Sequence, residues 1–205
     1  MRVIAGRWRG RHLVAPPGDS TRPMLDRAKV VLFDWLGSRL AQPGYLPPIA
    51  VLDLFAGAGT LGIECLSRGA AYACFIEKAA AAVHALQENL TALDARGECT
   101  VLRRDALSVE LPAPPEGRYS LIFFDPPYRM TQGLSPGDPV VQRLVELGGH
   151  PAVAPDAWLV VRQDYRAEPL PPVFNWERIE RRIVGKMALT FLARSPGAPP
   201  HTADY

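Results

Sequence analysis

VLDLFAGAGTLG, residues 51–62, decides the fold. The apolar run over residues 49–55 reads as a buried strand, and residues 60–69 (TLGIECLSRG) read as a helix that Gly69 is placed to end. Between them Gly57, Gly59 and Gly62 stand in G-x-G-x-x-G spacing, and Glu77 follows 20 positions after Gly57. That pattern belongs to the strand–loop–helix of a dinucleotide site, where glycines let backbone approach the ligand and the acid takes ribose hydroxyls. Asp53 breaks it, because it stands inside the strand where such a fingerprint carries apolar residues. A pyrophosphate at the helix N-terminus would meet this carboxylate, and no lysine or arginine lies between residues 51 and 67 to offset it. S-adenosylmethionine, whose ammonium and sulfonium are cationic, suits an acidic rim on Coulomb grounds.

Downstream the pattern alternates. Residues 71–77 and 99–104 read as strands with a helix over 79–93 between them, and YSLIFF (119–124) reads as a fourth strand. Residues 139–147 read as a helix and 157–163 as a fifth strand. Residues 174–194 read as two more strands turning at Gly185–Lys186. Near-continuous apolar strands between helices imply a mostly parallel sheet with helices on both faces. Upstream, residues 2–6 and 11–15 read as a hairpin and residues 23–40 as a helix whose buried face is Leu25, Ala28, Leu32, Trp35 and Leu36. The expected organisation is a basic N-terminal extension (1–22), a catalytic domain (23–194) and a disordered tail (195–205).

Composition sets bounds on this reading. With 48% hydrophobic and 21% charged residues and no long apolar run, the chain reads as a soluble cytoplasmic protein without a membrane span or secretory signal. Cys65, Cys74 and Cys99 lack metal-site spacing and read as buried free thiols, and the four histidines form no ligand pattern, so no metal is expected. The net charge is only +2, yet residues 1–29 hold Arg2, Arg7, Arg9, Arg11, Arg22, Arg27 and Lys29 against Asp19 and Asp26. The remainder is therefore net acidic, and the basic end reads as a polyanion-binding edge with Trp8 available for base stacking.

Asp53, Glu77, Asp105 and Asp125 fall at successive strand ends, the edge where open α/β sheets bind ligands. Asp105 is placed for an adenine amino group. D-P-P-Y (Asp125, Pro126, Pro127, Tyr128) supplies the reaction: the carboxylate and the Pro126 carbonyl accept the N–H bonds of a conjugated amine, consecutive prolines stiffen the turn, and Tyr128 stacks on the base.

These residues resemble a known family. D-x-F-A-G-x-G (Asp53–Gly59) with D-P-P-Y looks like a class I amino-methyltransferase. R-V-I-A-G-R-W-R-G-R, R-P-x-x-D-R (Arg22–Arg27) and L-F-D-W-L (32–36) resemble the RsmD-type 16S ribosomal RNA (guanine-N2)-methyltransferases from residue 2 to about residue 194. The resemblance implies a Rossmann-like fold with a seven-stranded sheet and an N-terminal β-hairpin. It implies S-adenosylmethionine held by Arg22, Pro23, Asp53, Phe55, Ala56, Gly57, Gly59, Glu77, Lys78, Asp105, Ala106 and Asp125. It also implies 16S rRNA or the assembling small subunit gripped by Arg2, Arg7, Trp8, Arg9 and Arg11, and a monomer. Met24, Lys29, Asp34 and Arg162 depart from the family pattern, as does the long insert over 129–139. DNA adenine or another RNA therefore stays open as the target.

Overall fold

The computed structural model describes residues 1–17, 24–195 and 197. Arg22 and Pro23, and all of the tail except Ser195 and Gly197, lie outside the described residues. The chain divides into two compact units, Met1–Ala106 and Leu107–Tyr205. Their strands form one seven-stranded sheet of order β3-β2-β1-β4-β5-β7-β6, which bears out the mostly parallel sheet read from the sequence.

In the first unit, α1 is Asp26–Leu40, β1 Ala50–Leu54, α2 Thr60–Ser67, β2 Tyr72–Ile76, α3 Ala80–Ala92 and β3 Cys99–Leu102. β1 pairs in parallel with β2, Asp53 opposite Phe75, and β2 pairs in parallel with β3. Every residue of β1 is buried, as its unbroken apolar run requires. α2 ends at Ser67 with Arg68 as its cap, and Gly69 follows at φ 118°, where a side chain would be strained.

In the second unit, β4 is Tyr119–Phe124, α4 Pro139–Gly149, β5 Val153–Asp164, β6 Trp176–Val184 and β7 Met187–Arg194. β5 runs parallel to β4, with Phe124 opposite Val161, and antiparallel to β7, which also pairs antiparallel with β6. The last two strands turn at Gly185–Lys186 as read, Gly185 having φ 61°.

Three local expectations are corrected. The N-terminal hairpin has cross-chain bonds, among them Val3 N–H to the Arg11 carbonyl (3.0 Å), but it shrinks to a single antiparallel bridge, Arg2 with His12. Its other amides are committed elsewhere: Ile4 and Ala5 donate to the Glu64 carboxylate at 2.9 Å, and Arg7 N–H donates to the Ser67 carbonyl at 2.8 Å. The first helix starts at Asp26, because Leu25 is extended (ψ 148°). Out of helical register, Leu25 is 66% exposed instead of lining the core. Cys65 and Cys74 are buried free thiols, whereas Cys99, on the outer strand β3, is only half-buried.

Candidate active site

The glycine loop is fixed from below by carboxylates. The Asp53 side chain is 1% exposed, and its Oδ2 accepts the Gly62 N–H at 2.9 Å. Gly62 is in the first turn of α2, one of the positions where helix amides lack intrahelical partners, and Gly59, the residue preceding the helix, makes no side-chain cap. Asp53 therefore serves as a cap reaching up from the strand, and its negative charge lies at the positive end of the helix. The sequence reading placed Asp53 on the ligand rim; the structure places it beneath, inside the core.

Glu77, one residue beyond β2, accepts the Gly57 N–H at 2.9 Å and the Ala79 N–H at 2.8 Å. It thus ties the loop to the start of α3, and an ionised carboxylate has acceptor sites beyond those two. Lys78 and Asp105 form a mutual ion pair at 3.2 Å with both side chains substantially exposed. Ala56 and Ala106 are buried, and Phe55 is half-buried with φ 61°.

The glycines differ in role. A Cβ on Gly59 would lie 2.3 Å from Leu86 Cδ1, and one on Gly62 2.3 Å from Phe75 Cε1, so these two are glycine because the core fills their side-chain space. A Cβ on Gly57 would meet nothing within 4 Å, although φ 57° still favours glycine there. Gly57 alone of the three faces open space.

Asn89, buried on α3, was missed in the sequence. Its Oδ1 accepts the Val14 N–H at 2.7 Å, and its Nδ2 donates to the carbonyls of Val14 and Ala58, both at 3.1 Å. One amide thus joins the N-terminal segment to the glycine loop. An asparagine on the apolar face of Ala82, Val83, Ala85, Leu86 and Leu90 was the available signal.

The N-terminal segment is bolted to α2. Glu64, fully buried, accepts two backbone amides and the Arg68 guanidinium at 3.0 Å, and it faces Lys29 Nζ at 3.5 Å. Burial lowers the Lys29 pKa, with Glu64 pulling the other way. Lys29 therefore drops out of the basic surface to which the sequence assigned it. Arg2 pairs with Asp26 at 2.7 Å, Arg7 pairs with Glu98 and stacks over Trp8 at 4.1 Å, and Arg11 donates to the Ala92 carbonyl at 2.9 Å. Arg7, Arg9 and Arg11 are exposed, and Trp8 is half-buried with its N–H on Ser67 Oγ at 3.0 Å. Arg7 and Arg9 also border an open cleft of about 820 Å³ with Tyr45, Ser67 and Glu98. The cleft is at the C-terminal end of α2, eight residues from the glycine loop, or about 12 Å along the helix.

In the second unit the D-P-P-Y turn leaves the end of β4. Pro126 is buried, the Met130 N–H closes on the Pro127 carbonyl at 2.8 Å, and Tyr128–Thr131 forms a short 3-10 helix. The buried Thr131 hydroxyl donates to the Tyr128 carbonyl at 3.1 Å, and buried Gln163 donates to the Thr131 carbonyl at 3.4 Å. Asp125 is in ion contact with Arg162 of β5, whose guanidinium lies 5.5 Å from the centre of the Tyr128 ring. Charge and hydrogen bonding from this guanidinium both favour the ionised carboxylate. Desolvation pushes the Asp125 pKa up from its ordinary value, and Arg162 opposes the shift without cancelling it. Among the described residues no group of three or more histidine, cysteine or acidic side chains could hold a metal, and no helix is long and apolar enough to cross a membrane.

The strand order and glycine loop define a Rossmann-like class I methyltransferase fold. The solved structure of yhhF from Escherichia coli superposes with a TM-score of 0.74 at 33% identity, covering 95% of this chain and 97% of that one. Ribosomal RNA small subunit methyltransferase D of Escherichia coli K12 is 33% identical, over 95% of this chain and 90% of its own length. The enzyme of the same name from Haemophilus influenzae is 30% identical, over 90% and 89% respectively. The family described as Conserved hypothetical protein 95 matches residues 1–193. The chain belongs to that family, together with these small-subunit methyltransferases D.

Proposed function

We propose that this protein transfers a methyl group from S-adenosylmethionine to the exocyclic N2 amine of a guanine in small-subunit (16S) ribosomal RNA, in the cytoplasm. The observation that carries the chemistry is the D-P-P-Y turn: a desolvated carboxylate at the end of a buried strand, in a turn braced by two prolines, Thr131 and Gln163. The target class comes from kinship with enzymes named for small-subunit ribosomal RNA.

The residues present fit the cofactor. Open space at Gly57 admits a ligand against the backbone. The amide that a pyrophosphate would seek at the start of α2 already holds the Asp53 carboxylate. That favours a ligand without phosphate. Gly57, Glu77, Lys78, Asp105, Phe55, Ala56 and Ala106 would hold it, with Asp53 acting through the loop from beneath. When bound, the cofactor supplies a methyl group on a sulfonium. Asp125 and the Pro126 carbonyl accept the amine's N–H bonds, draw its lone pair out of conjugation with the ring, and stabilise the positive charge that develops on nitrogen. Tyr128 holds the base by stacking, which requires a base that is unpaired or flipped from its helix. Arg7, Arg9 and Trp8 grip RNA at the opposite end of α2 and Arg11 beside the end of α3, while Arg2 also fastens the segment to α1.

Small-subunit particles and naked 16S rRNA, incubated with methyl-labelled S-adenosylmethionine, should acquire label in a single guanine. Asp125→Ala should lower the rate by about 10²–10³. Label confined to DNA or protein overturns the assignment.

A further inference from the structure

We propose that Arg162 is a positioning residue for methyl transfer, its guanidinium holding Asp125 ionised and aimed on one side while fixing the Tyr128 ring on the other. The inference rests on the functional reading above for what Asp125 and Tyr128 do, but the coupling of the three side chains is geometric and independent of it.

Register places the arginine. Val161 of β5 is opposite Phe124, the last residue of β4, so Arg162 and Asp125 are the residues that follow the last paired position, just where the turn begins. Both side chains are largely shielded, at 11% and 16% exposure. A guanidinium shielded to this degree needs an anion, and Asp125 is the one it touches. Its other neighbour is the Tyr128 ring, within cation–π range at 5.5 Å. One planar cation therefore contacts the first and last residues of the four-residue acceptor turn.

The chemical need is specific. A desolvated carboxylic acid drifts toward its neutral form, which carries a hydroxyl and loses acceptor capacity. An amine losing conjugation and gaining positive charge needs the anion. Among the described residues, the charge coupled to Asp125 is that of Arg162, and Tyr128 is the titratable group beside it. The pair is neutral overall, so the arginine supplies ionisation without leaving net positive charge near a cationic methyl donor. The guanidinium contacts one carboxylate oxygen, Oδ1, and an ionised carboxylate has acceptor sites beyond that contact for the amine.

The test compares wild type, Arg162→Gln and Arg162→Lys in two measurements. The first is the Asp125 pKa by carbon-13 NMR of the carboxylate, which needs no activity. The second is the pH dependence of single-turnover methyl transfer to small-subunit rRNA. In Arg162→Gln the Asp125 pKa should rise by roughly 1–3 pH units, the acid limb of the rate profile should move up with it, and kcat should fall about 10–100-fold with KM for S-adenosylmethionine within threefold. Arg162→Lys, which keeps the charge but not the planar stacking surface, should restore the acid limb and recover only part of kcat. An unmoved Asp125 pKa in both variants overturns the proposal, as does a rate loss that follows melting temperature with the acid limb in place. If Arg162→Gln fails to fold, the lysine variant decides: a fully restored kcat, or a displaced acid limb, refutes the role given to the planar guanidinium. If wild type shows no transfer to RNA while the NMR shift appears, the functional reading fails and the coupling stands.

Discussion

At the scale of single residues, the glycine loop separates two jobs that its sequence pattern merges. Gly57 faces open space, whereas Gly59 and Gly62 leave space for Leu86 and Phe75. Gly59→Ala should therefore behave as a core defect, with a strained φ and a Cβ forced into Leu86, destabilising the fold by about 1–3 kcal/mol in urea melts. Gly57→Ala should show most of its effect in cofactor titration, by calorimetry. Asp125 makes a pH prediction whose sign follows from its burial. Its folded pKa is raised, so the acceptor form is lost as pH falls through a value above the ordinary carboxylate range. Methyl transfer should therefore fail at a higher pH than an exposed aspartate would impose, while the same desolvation favours the folded protein slightly more on the acid side. A rate profile flat down to the ordinary carboxylate range would contradict this. The carboxylates at the strand ends were legible from spacing alone. Their separate fates were not, because whether a carboxylate faces a ligand or a helix amide depends on three-dimensional contacts that Asp53 and Asp125 do not advertise in sequence.

Between elements, the parallel strands and their helices were readable because buried strands leave unbroken apolar runs and helices leave a 3.6-residue period. The extent of the N-terminal hairpin was overestimated for a physical reason. Its alternation does suggest a strand, but the acceptors for Ile4 and Ala5 are on Glu64, 60 and 59 residues further along. No local pattern encodes a partner at that distance. Arg162 stood out in the sequence only as a departure from the family pattern; its pairing with Asp125 was hidden for the same reason, since the partner is on the neighbouring strand. Glu64 is the node on which the segment depends. Glu64→Ala would leave Lys29 and Arg68 as uncompensated buried cations and free two amides, costing about 3–5 kcal/mol. Limited trypsin digestion should then cleave at Arg7, Arg9 and Arg11 well before the core opens. A wild-type digestion pattern would show that the segment is held elsewhere.

For the whole molecule, charge asymmetry is the property most exposed to the environment. Of the basic residues near the amino end, Lys29 is buried against Glu64, and Arg2 and Arg7 each face a surface acid. The effective positive surface is thus smaller than the composition suggests, with Arg9 and Arg11 prominent in it. RNA affinity should still fall steeply with salt, as phosphate contacts release counterions. Arg9→Ala should reduce the slope of log affinity against log salt by roughly 1 without altering cofactor binding. An unchanged slope would remove Arg9 from the RNA contact surface.

The dependence of the N-terminal segment on Glu64 and Asn89 also has a temporal side. Ribosomes deliver the amino end first, yet the receptors for residues 4 and 14 are 60 and 75 positions later in the message. During synthesis, this arginine-rich stretch emerges before anything exists to receive it. The growing chain therefore carries an undocked cationic leader through the interval in which its own ribosome is the nearest polyanion.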